Sequence, residues 1–268
     1  MLTSTQNPLV KEIRKLQKAK GRREQQLFLL EGTHLLEEAY AIDYPLITVC
    51  CTPEWLQSHP QLWQNISGRC QRAEIVSPEV LNAIATTVHP DGVIATAMRP
   101  LGLDSTQPHP SPIVTSISLA LETVQDPGNL GTIIRTAAAA GAERLWLSTD
   151  SVDLDNPKVL RSSAGQWFRL PMVVSPDLND VVDQCKAQGI QIVATVPDVT
   201  EHYWDIDLQC PTLILLGNEA AGLKADLAAK ADWQVKIPLM PGVESLNVAI
   251  AAALMLYEAK RQRRGREG

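Results

Sequence analysis

The chain has 268 residues, 45% of them apolar, enough to bury one large core or two smaller ones, which excludes a disulfide scaffold and a disordered coactivator. Its formal charge of −6 argues against holding nucleic acid by overall charge, because such binding relies on Lys and Arg neutralising phosphates. Five cysteines (Cys50, Cys51, Cys70, Cys185 and Cys210), odd in number, without Cys-x-x-Cys spacing and away from clustered histidines, exclude a metal site and predict reduced thiols in the cytoplasm.

The charge is unevenly placed. Residues 1–24 carry seven basic side chains (Lys11, Arg14, Lys15, Lys18, Lys20, Arg22 and Arg23) against Glu12 and Glu24, net +5. Residues 258–268 carry net +3, which leaves −14 for the intervening chain. Such basic runs are either solvated helix faces or phosphate contacts; if nucleic acid is bound, Lys11, Arg14, Lys15, Lys18, Arg22 and Arg23 are the expected contacts, and not the acidic body. The polar start and the shortness of the longest apolar stretch, Val248 to Tyr257, predict no membrane partner.

In chain order, a basic helix is predicted over 7–20, then the apolar run Leu27–Leu30, a helix from Thr33 to Ala41, and strands near 46–50, 75–76 and 93–97 with a helix near 78–85. This is a small α/β domain over 1–100. The proline-rich stretch 101–112 (LGLDSTQPHPSP) cannot continue a helix or a central strand and reads as a linker. From 113 to 268, strands near 119–124, 144–147, 172–174, 190–196, 212–216 and 235–237 alternate with helices near 129–140, 157–164, 177–188, 222–229 and 245–263. Such alternation predicts a mostly parallel sheet covered by helices, with ligands at the strands' carboxyl ends. Neither G-x-G-x-x-G nor G-x-x-x-x-G-K-[ST] occurs, which disfavours the common nucleotide sites.

Three segments carry candidate chemistry. The first, 126–141, leaves a strand and opens a helix; Asn129 is of a favoured N-cap type and Arg135 is either a surface charge or a guanidinium suited to phosphate. The second, 212–223, is an apolar strand ending in Gly217 with Asn218 and Glu219 at its tip; these two also suit a helix N-cap and its first turn. The third, 237–257, turns at Pro241-Gly242 and puts Ser245 and Asn247 at the start of an alanine-rich helix, where Ser245 is itself a reasonable N-cap.

Taken in order, NLGTIIRTA (129–137), LILLGNE (213–219) and IPLMPGVESLNVAIAAALMLYE (237–258) resemble the three motifs of the SpoU (TrmH) family of RNA ribose 2′-O-methyltransferases. NPKVLRSSAG (156–165) is similar to the family's stretch between the first two motifs. STQNPLVK (4–11) and FLLEG (28–32) resemble the substrate-binding domain of many such enzymes, itself similar to a ribosomal RNA-binding protein.

The resemblance implies a trefoil-knotted α/β methyltransferase domain behind a small ribosomal-protein-like α/β domain. It implies S-adenosylmethionine as cofactor, held by Thr195, Val196, Leu216, Gly217, Ile237 and Leu246, and functional polar groups at Asn129, Arg135, Glu219, Ser245 and Asn247. It further implies a homodimer acting on structured RNA, ribosomal RNA before transfer RNA; a non-catalytic RNA-binding or ribosome-assembly protein of the same fold is the reading from another class. The family commonly has glycine where this chain has Ala220, followed here by Ala221. A methyl group at 220 is compatible with helical backbone and not with positive φ.

Overall fold

The computed structural model describes residues 1–100, 103 and 114–264. The linker expected at 101–112 thus lies outside the described residues except for Leu103. The elements run α1 (Pro8–Lys15), α2 (Ala19–Gln25), β1 (Leu27–Glu31), α3 (Thr33–Ala41), β2 (Leu46–Cys51), α4 (Pro53–Ser58), α5 (Pro60–Ser67), β3 (Arg72–Ile75), α6 (Pro78–Ile84) and β4 (Val93–Met98). They continue with β5 (Ile117–Leu121), α7 (Pro127–Ala140), β6 (Leu145–Ser148), α8 (Pro157–Ser162), β7 (Met172–Ser175), α9 (Leu178–Ala187), β8 (Gln191–Thr195), β9 (Thr212–Leu216), α10 (Ala225–Ala229), β10 (Trp233–Val235) and α11 (Val248–Arg263).

The chain divides into two units: Met1–Pro100 together with Asp153–Phe168, and the remainder. The first is built on a sheet of order β1-β4-β2-β3, in which β4 is antiparallel to both β1 and β2, and β2 is parallel to β3. Successive strand residues face opposite sides, and β1 uses both. Leu29 joins Cys50 and Ile94 under Val10, Ile13 and Leu16 of the amino-terminal helical segment and Val80, Leu81 and Ile84 of α6. Phe28 lies against Trp167, ring centroids 5.1 Å apart, and meets Tyr44 edge-on.

Trp167 belongs to 153–168, a stretch that the sequence reading leaves in the catalytic half and that packs here on amino-terminal residues. Its attachment is ionic as well as aromatic. Arg22, 2% exposed, donates through Nε to Asp155 Oδ1 at 3.0 Å and through Nη2 to Asp153 Oδ2 at 2.9 Å, while Arg99 Nε donates to Asp155 Oδ2 at 2.5 Å.

The single basic helix expected over 7–20 is two helices. The break at Leu16–Lys18 lets Gly21 approach Lys15 so closely that a Cβ at position 21 would stand 2.1 Å from the Lys15 carbonyl oxygen. Helices α4 and α5 have no counterpart in the sequence reading; both are under nine residues, too short for apolar periodicity to stand out, though each opens with proline.

The second unit has a six-stranded sheet of order β10-β8-β9-β5-β6-β7, parallel throughout. Strands β5 and β9 at its centre are buried along their whole length, as suits strands covered on both faces. Among the described residues no helix is long and apolar enough to cross a membrane. Burial raises the thiol pKa values of Cys50 and Cys51 to about 12 and that of Cys185 to about 11, so these three are packing groups and not nucleophiles.

Candidate active site

From β5 the chain moves to β6 and β7 on one side, and the later strands fill the other side. The order therefore reverses between β5 and β9, and open α/β sheets bind ligands beyond the carboxyl ends of strands at such a point. The loops after β5, β8, β9 and β10 border that position. The residues that the resemblance marks lie at the ends of β8 and β9, in the loops after β8, β9 and β10, and on α7, which follows β5.

A cavity of about 740 Å³ opens there, within the usual range for small-molecule sites. Thr195, Val196, Leu216, Gly217, Ile237 and Leu246 all line it, together with Glu219 and Ser245. Residues 237–246 lie outside helix and strand, so their backbone groups are not committed to a ladder. After β9 the chain makes a tight turn, with Asn218 and Gly222 exchanging both backbone hydrogen bonds at 3.1 and 2.9 Å. A Cβ on Gly217 would stand 2.2 Å from the Gly222 carbonyl carbon, so only glycine allows this closure.

Within the turn, Asn218 Oδ1 accepts from the amides of Ala220 and Ala221 at 2.9 and 3.0 Å. The left-handed residue is Gly222, φ +69°, and neither alanine has positive φ. The alanines thus fit the loop. Asn218 and Glu219 do not open a helix, since α10 begins only at Ala225.

Three of the predicted polar residues form one hydrogen-bonded chain. Asn129 donates through Nδ2 to Glu219 Oε1 at 2.5 Å, and its Oδ1 accepts from Asn247 Nδ2 at 2.9 Å. One side chain from each motif is joined, and the two bonds fix which way the Asn129 amide faces. Its position needs correcting in one respect: Asp126, not Asn129, caps α7, accepting from the Asn129 amide at 2.8 Å with Pro127 in the first turn. Likewise Asn247, not Ser245, caps α11, its Oδ1 accepting from Ala249 N at 2.9 Å.

Arg135 and Ser245 stand apart from this chain. Arg135 is exposed, six residues along α7 from Asn129, which places it about 9 Å further down the axis and on a different face. Ser245 is exposed on the cavity wall. Among the described residues neither side chain is hydrogen-bonded or ion-paired, so both remain available to a substrate.

Sequence reasoning missed the support behind the turn. Thr123 has φ +55°, unusual for a β-branched residue, and its carbonyl accepts from Asn218 Nδ2 at 2.9 Å. Asp150 accepts from Thr123 Oγ1 at 2.9 Å and from Ser148 Oγ at 2.5 Å. The Ser148 and Thr123 hydrogen bonds, aided by the Lys224 ammonium, hold the Asp150 carboxyl below the usual carboxylate range. Asp198, His202, Lys236 and Glu244 also line the cavity; they lie on irregular segments or a lone bridge, where no periodicity marks them.

The basic residues divide differently from the expectation. Lys11, Arg14, Lys15 and Lys18 are exposed, Lys15 pairing with Glu12 at 2.8 Å. Arg23 is 60% exposed and pairs with Asp153 at 2.6 Å. Arg22 leaves the set of RNA contacts, because its guanidinium is buried between Asp153 and Asp155. In the basic carboxyl-terminal segment, Lys260 donates to the Ala139 carbonyl, Arg261 pairs with Glu258, and Arg263 binds the carbonyls of Leu208, Ser116 and Cys210. Lys260 and Arg263 thereby serve the fold, whereas Arg261, 69% exposed, makes a surface pair.

The comparisons with known proteins agree with this geometry. A family model described as the SpoU rRNA Methylase family matches residues 116–257, and another, an MRM3-like substrate binding domain, matches residues 7–95. The chain is 48% identical over 261 residues to an uncharacterised tRNA/rRNA methyltransferase of Synechocystis sp., covering 97% of this chain and 93% of that protein. It is 33% identical over 260 residues to the 23S rRNA (guanosine(2553)-2′-O)-methyltransferase RlmP of Bacillus subtilis, covering 97% and 98%. A solved structure of an AdoMet-bound rRNA methyltransferase from Sinorhizobium meliloti matches with a TM-score of 0.85 at 33% identity, covering 97% of each chain. With the first two motif segments and all but Glu258 of the third inside the methylase match, and a substrate-binding-domain match ahead of them, the chain belongs to the SpoU rRNA methylase family.

Proposed function

We propose that this protein transfers a methyl group from S-adenosylmethionine to a ribose 2′-hydroxyl of ribosomal RNA. The observation that carries this reading is the cavity at the strand ends, closed by the Gly217–Gly222 turn and tied to α7 through Glu219, Asn129 and Asn247. Apolar walls from Val196, Leu216, Ile237 and Leu246, with backbone groups of 237–246 between them, suit an adenosine and a thioether chain. The substrate is read as ribosomal from the substrate-binding domain and from the rRNA methyltransferases among its relatives.

S-adenosylmethionine, when bound, supplies an electrophilic methyl whose departure leaves a neutral thioether, so no acid is required on that side. The remaining demands are alignment and loss of a proton from a weakly acidic hydroxyl. A guanidinium is a hydrogen-bond donor and not a base; the role of Arg135 is to stabilise the developing alkoxide, with an RNA phosphate accepting the proton. Ser245 positions the ribose from the cavity wall. Asn129, committed at both ends of its amide, serves as the strut that keeps Glu219 and Asn247 in register.

The reading carries with it the trefoil threading that the family resemblance implies, a reducing cytoplasmic setting suited to the five free thiols, and a homodimer. Support for the dimer comes from α11, where Ile250 and Tyr257 are about half exposed beside Ala253, Leu254 and Tyr203, an apolar face left open among the described residues. Ala249 and Ala252, by contrast, are buried within the unit.

The test is transfer from labelled S-adenosylmethionine to total RNA of a strain lacking the gene, with the methylated position mapped. Label on a base would overturn the reaction, and label confined to transfer RNA would overturn the substrate. Arg135→Ala is expected to lower kcat about 100-fold, as for loss of one group that stabilises developing negative charge, with cofactor KM within about twofold. Asp150→Ala acts elsewhere: by releasing Thr123 and hence Asn218 it should raise cofactor KM about fivefold and leave kcat within about twofold. In a Thr123→Gly background the same change should add little, because the hydroxyl it served is gone and glycine accepts φ +55° unaided.

A further inference from the structure

The first unit contains a cavity of its own, about 270 Å³. Its walls include Gly32 and His34 at the start of α3, Glu31 at the end of β1, His89 and Asp91 in the loop before β4, and Arg161 of α8. Arg161 belongs to the stretch between the first two methylase motifs, so residues from both family matches build one pocket.

The charges within it are largely accounted for. Glu31, its side chain 3% exposed, accepts from Arg161 Nη1 at 2.9 Å and from the Thr86 amide at 3.0 Å. Arg161 Nη1 also donates to Thr86 Oγ1 at 2.9 Å, which leaves Nε and Nη2 uncommitted among the described residues. Asp91 Oδ2 accepts from the Thr33 amide at 2.8 Å, and Oδ1 is uncommitted. His34 and His89 are exposed at the rim; His89 makes no hydrogen bond among the described residues, and His34 reaches the Ala164 carbonyl at 3.4 Å and the Glu37 carboxylate at 3.8 Å.

With Glu31 neutralised by Arg161, the charge left over is the carboxylate of Asp91, which repels a phosphate. The site instead offers an acceptor for N–H groups, a guanidinium with spare donors, and two flat imidazoles at the mouth. That combination matches an unpaired nucleobase, which proteins hold by stacking and by hydrogen bonds to its edges. Guanine alone among the four presents adjacent N1–H and N2–H donors to a carboxylate and O6 and N7 acceptors to an arginine.

The approach is suited to RNA as well. Gln17, next to Lys18, donates to the carbonyls of Ala83 and Ala85. The following residue, Thr86, is the one bonded to Glu31 and Arg161. The exposed Lys11, Arg14 and Lys18 therefore lie on a segment fastened directly beside the pocket floor.

We propose that this pocket holds one unpaired guanine of the RNA substrate, with Asp91 and Arg161 reading its edges and His34 and His89 flanking its face. The inference rests on the assignment of RNA as substrate. Full-length protein would be titrated with the heptanucleotides UUUGUUU, UUUAUUU and UUUUUUU. The guanine-containing strand should bind about tenfold tighter than the other two, in line with the discrimination a specific base contact provides.

Asp91→Asn, which keeps an acceptor for Thr33, should abolish that preference and leave binding of the all-uridine strand within about twofold, because phosphate contacts do not depend on sequence. His89→Ala, at an exposed position where folding is not at stake, should weaken the guanine strand at least threefold, consistent with the contribution of base stacking. Equal binding of the three strands by the wild type, or a preference that survives both substitutions, would overturn the proposal. A protein that methylates ribose yet binds the strands alike refutes the pocket alone; one that prefers guanine but methylates no RNA refutes the enzymatic reading alone.

Discussion

Gly217→Ala is expected to lower affinity for S-adenosylmethionine about 1,000-fold, equivalent to about 4 kcal/mol of binding free energy. The added methyl group would lie 2.2 Å from the Gly222 carbonyl carbon and 2.3 Å from both the Gly222 carbonyl oxygen and the Leu223 nitrogen. These are backbone atoms and cannot swing aside. They are also held in place, because Asn218 and Gly222 exchange two backbone hydrogen bonds and Asn218 Nδ2 is anchored on Thr123. The turn must open, taking the cavity wall of 217–222 with it. Gly222→Ala provides the contrast: open space surrounds its Cβ position and only φ +69° opposes the change, so a loss of about tenfold is expected there. Calorimetric titration with the cofactor measures both, and circular dichroism should show the fold intact, since the turn lies outside the sheet. Wild-type affinity in Gly217→Ala would remove this turn from the cofactor site.

The contrast between those two glycines shows what the sequence made legible. Gly217 is marked by its place after an apolar strand and before two polar residues, whereas Thr195, Val196, Ile237 and Leu246 came from the family resemblance. All six cofactor positions that the resemblance implied now line one cavity. The caps were also readable in principle, since Asp126-Pro127 is a helix start and the choice of Asn129 overlooked it.

What could not be read was long-range pairing. Asn129 and Glu219 are 90 residues apart, and nothing in either segment states that their side chains meet. Asp150 supports the second motif from a loop that has no motif of its own. Arg22 failed for the same reason: in sequence it is one of a run of cations facing water, and only its partners 131 and 133 residues away make it a core residue. Charge runs report composition, whereas burial is decided by topology, and the return of 153–168 to the amino-terminal unit has no local signature.

That return gives the second large expected effect. Asp155→Ala should destabilise the first unit by about 3–5 kcal/mol, the range for breaking a buried ion pair from one side. Asp155 is 1% exposed and its two oxygens serve Arg22 Nε at 3.0 Å and Arg99 Nε at 2.5 Å. Removing it leaves two buried guanidinium groups each short of a charged acceptor, and the cost arises from those cations more than from the attraction lost. Asp153 does not compensate, for it already bonds Arg22 Nη2 and Arg23. The urea midpoint should fall by about 1–2 M with little change in slope. Hydrogen exchange should locate the loosening in 19–25 and 153–168, with the peptides of β5 and β9 unaffected. The double variant Arg99→Met, Asp155→Leu should recover a substantial part of the loss, because apolar groups of similar size carry no desolvation penalty. A midpoint within about 0.3 M of wild type in Asp155→Ala, too small a shift for the loss of a buried pair, would mean that the aromatic packing of Trp167 on Phe28 holds this segment alone.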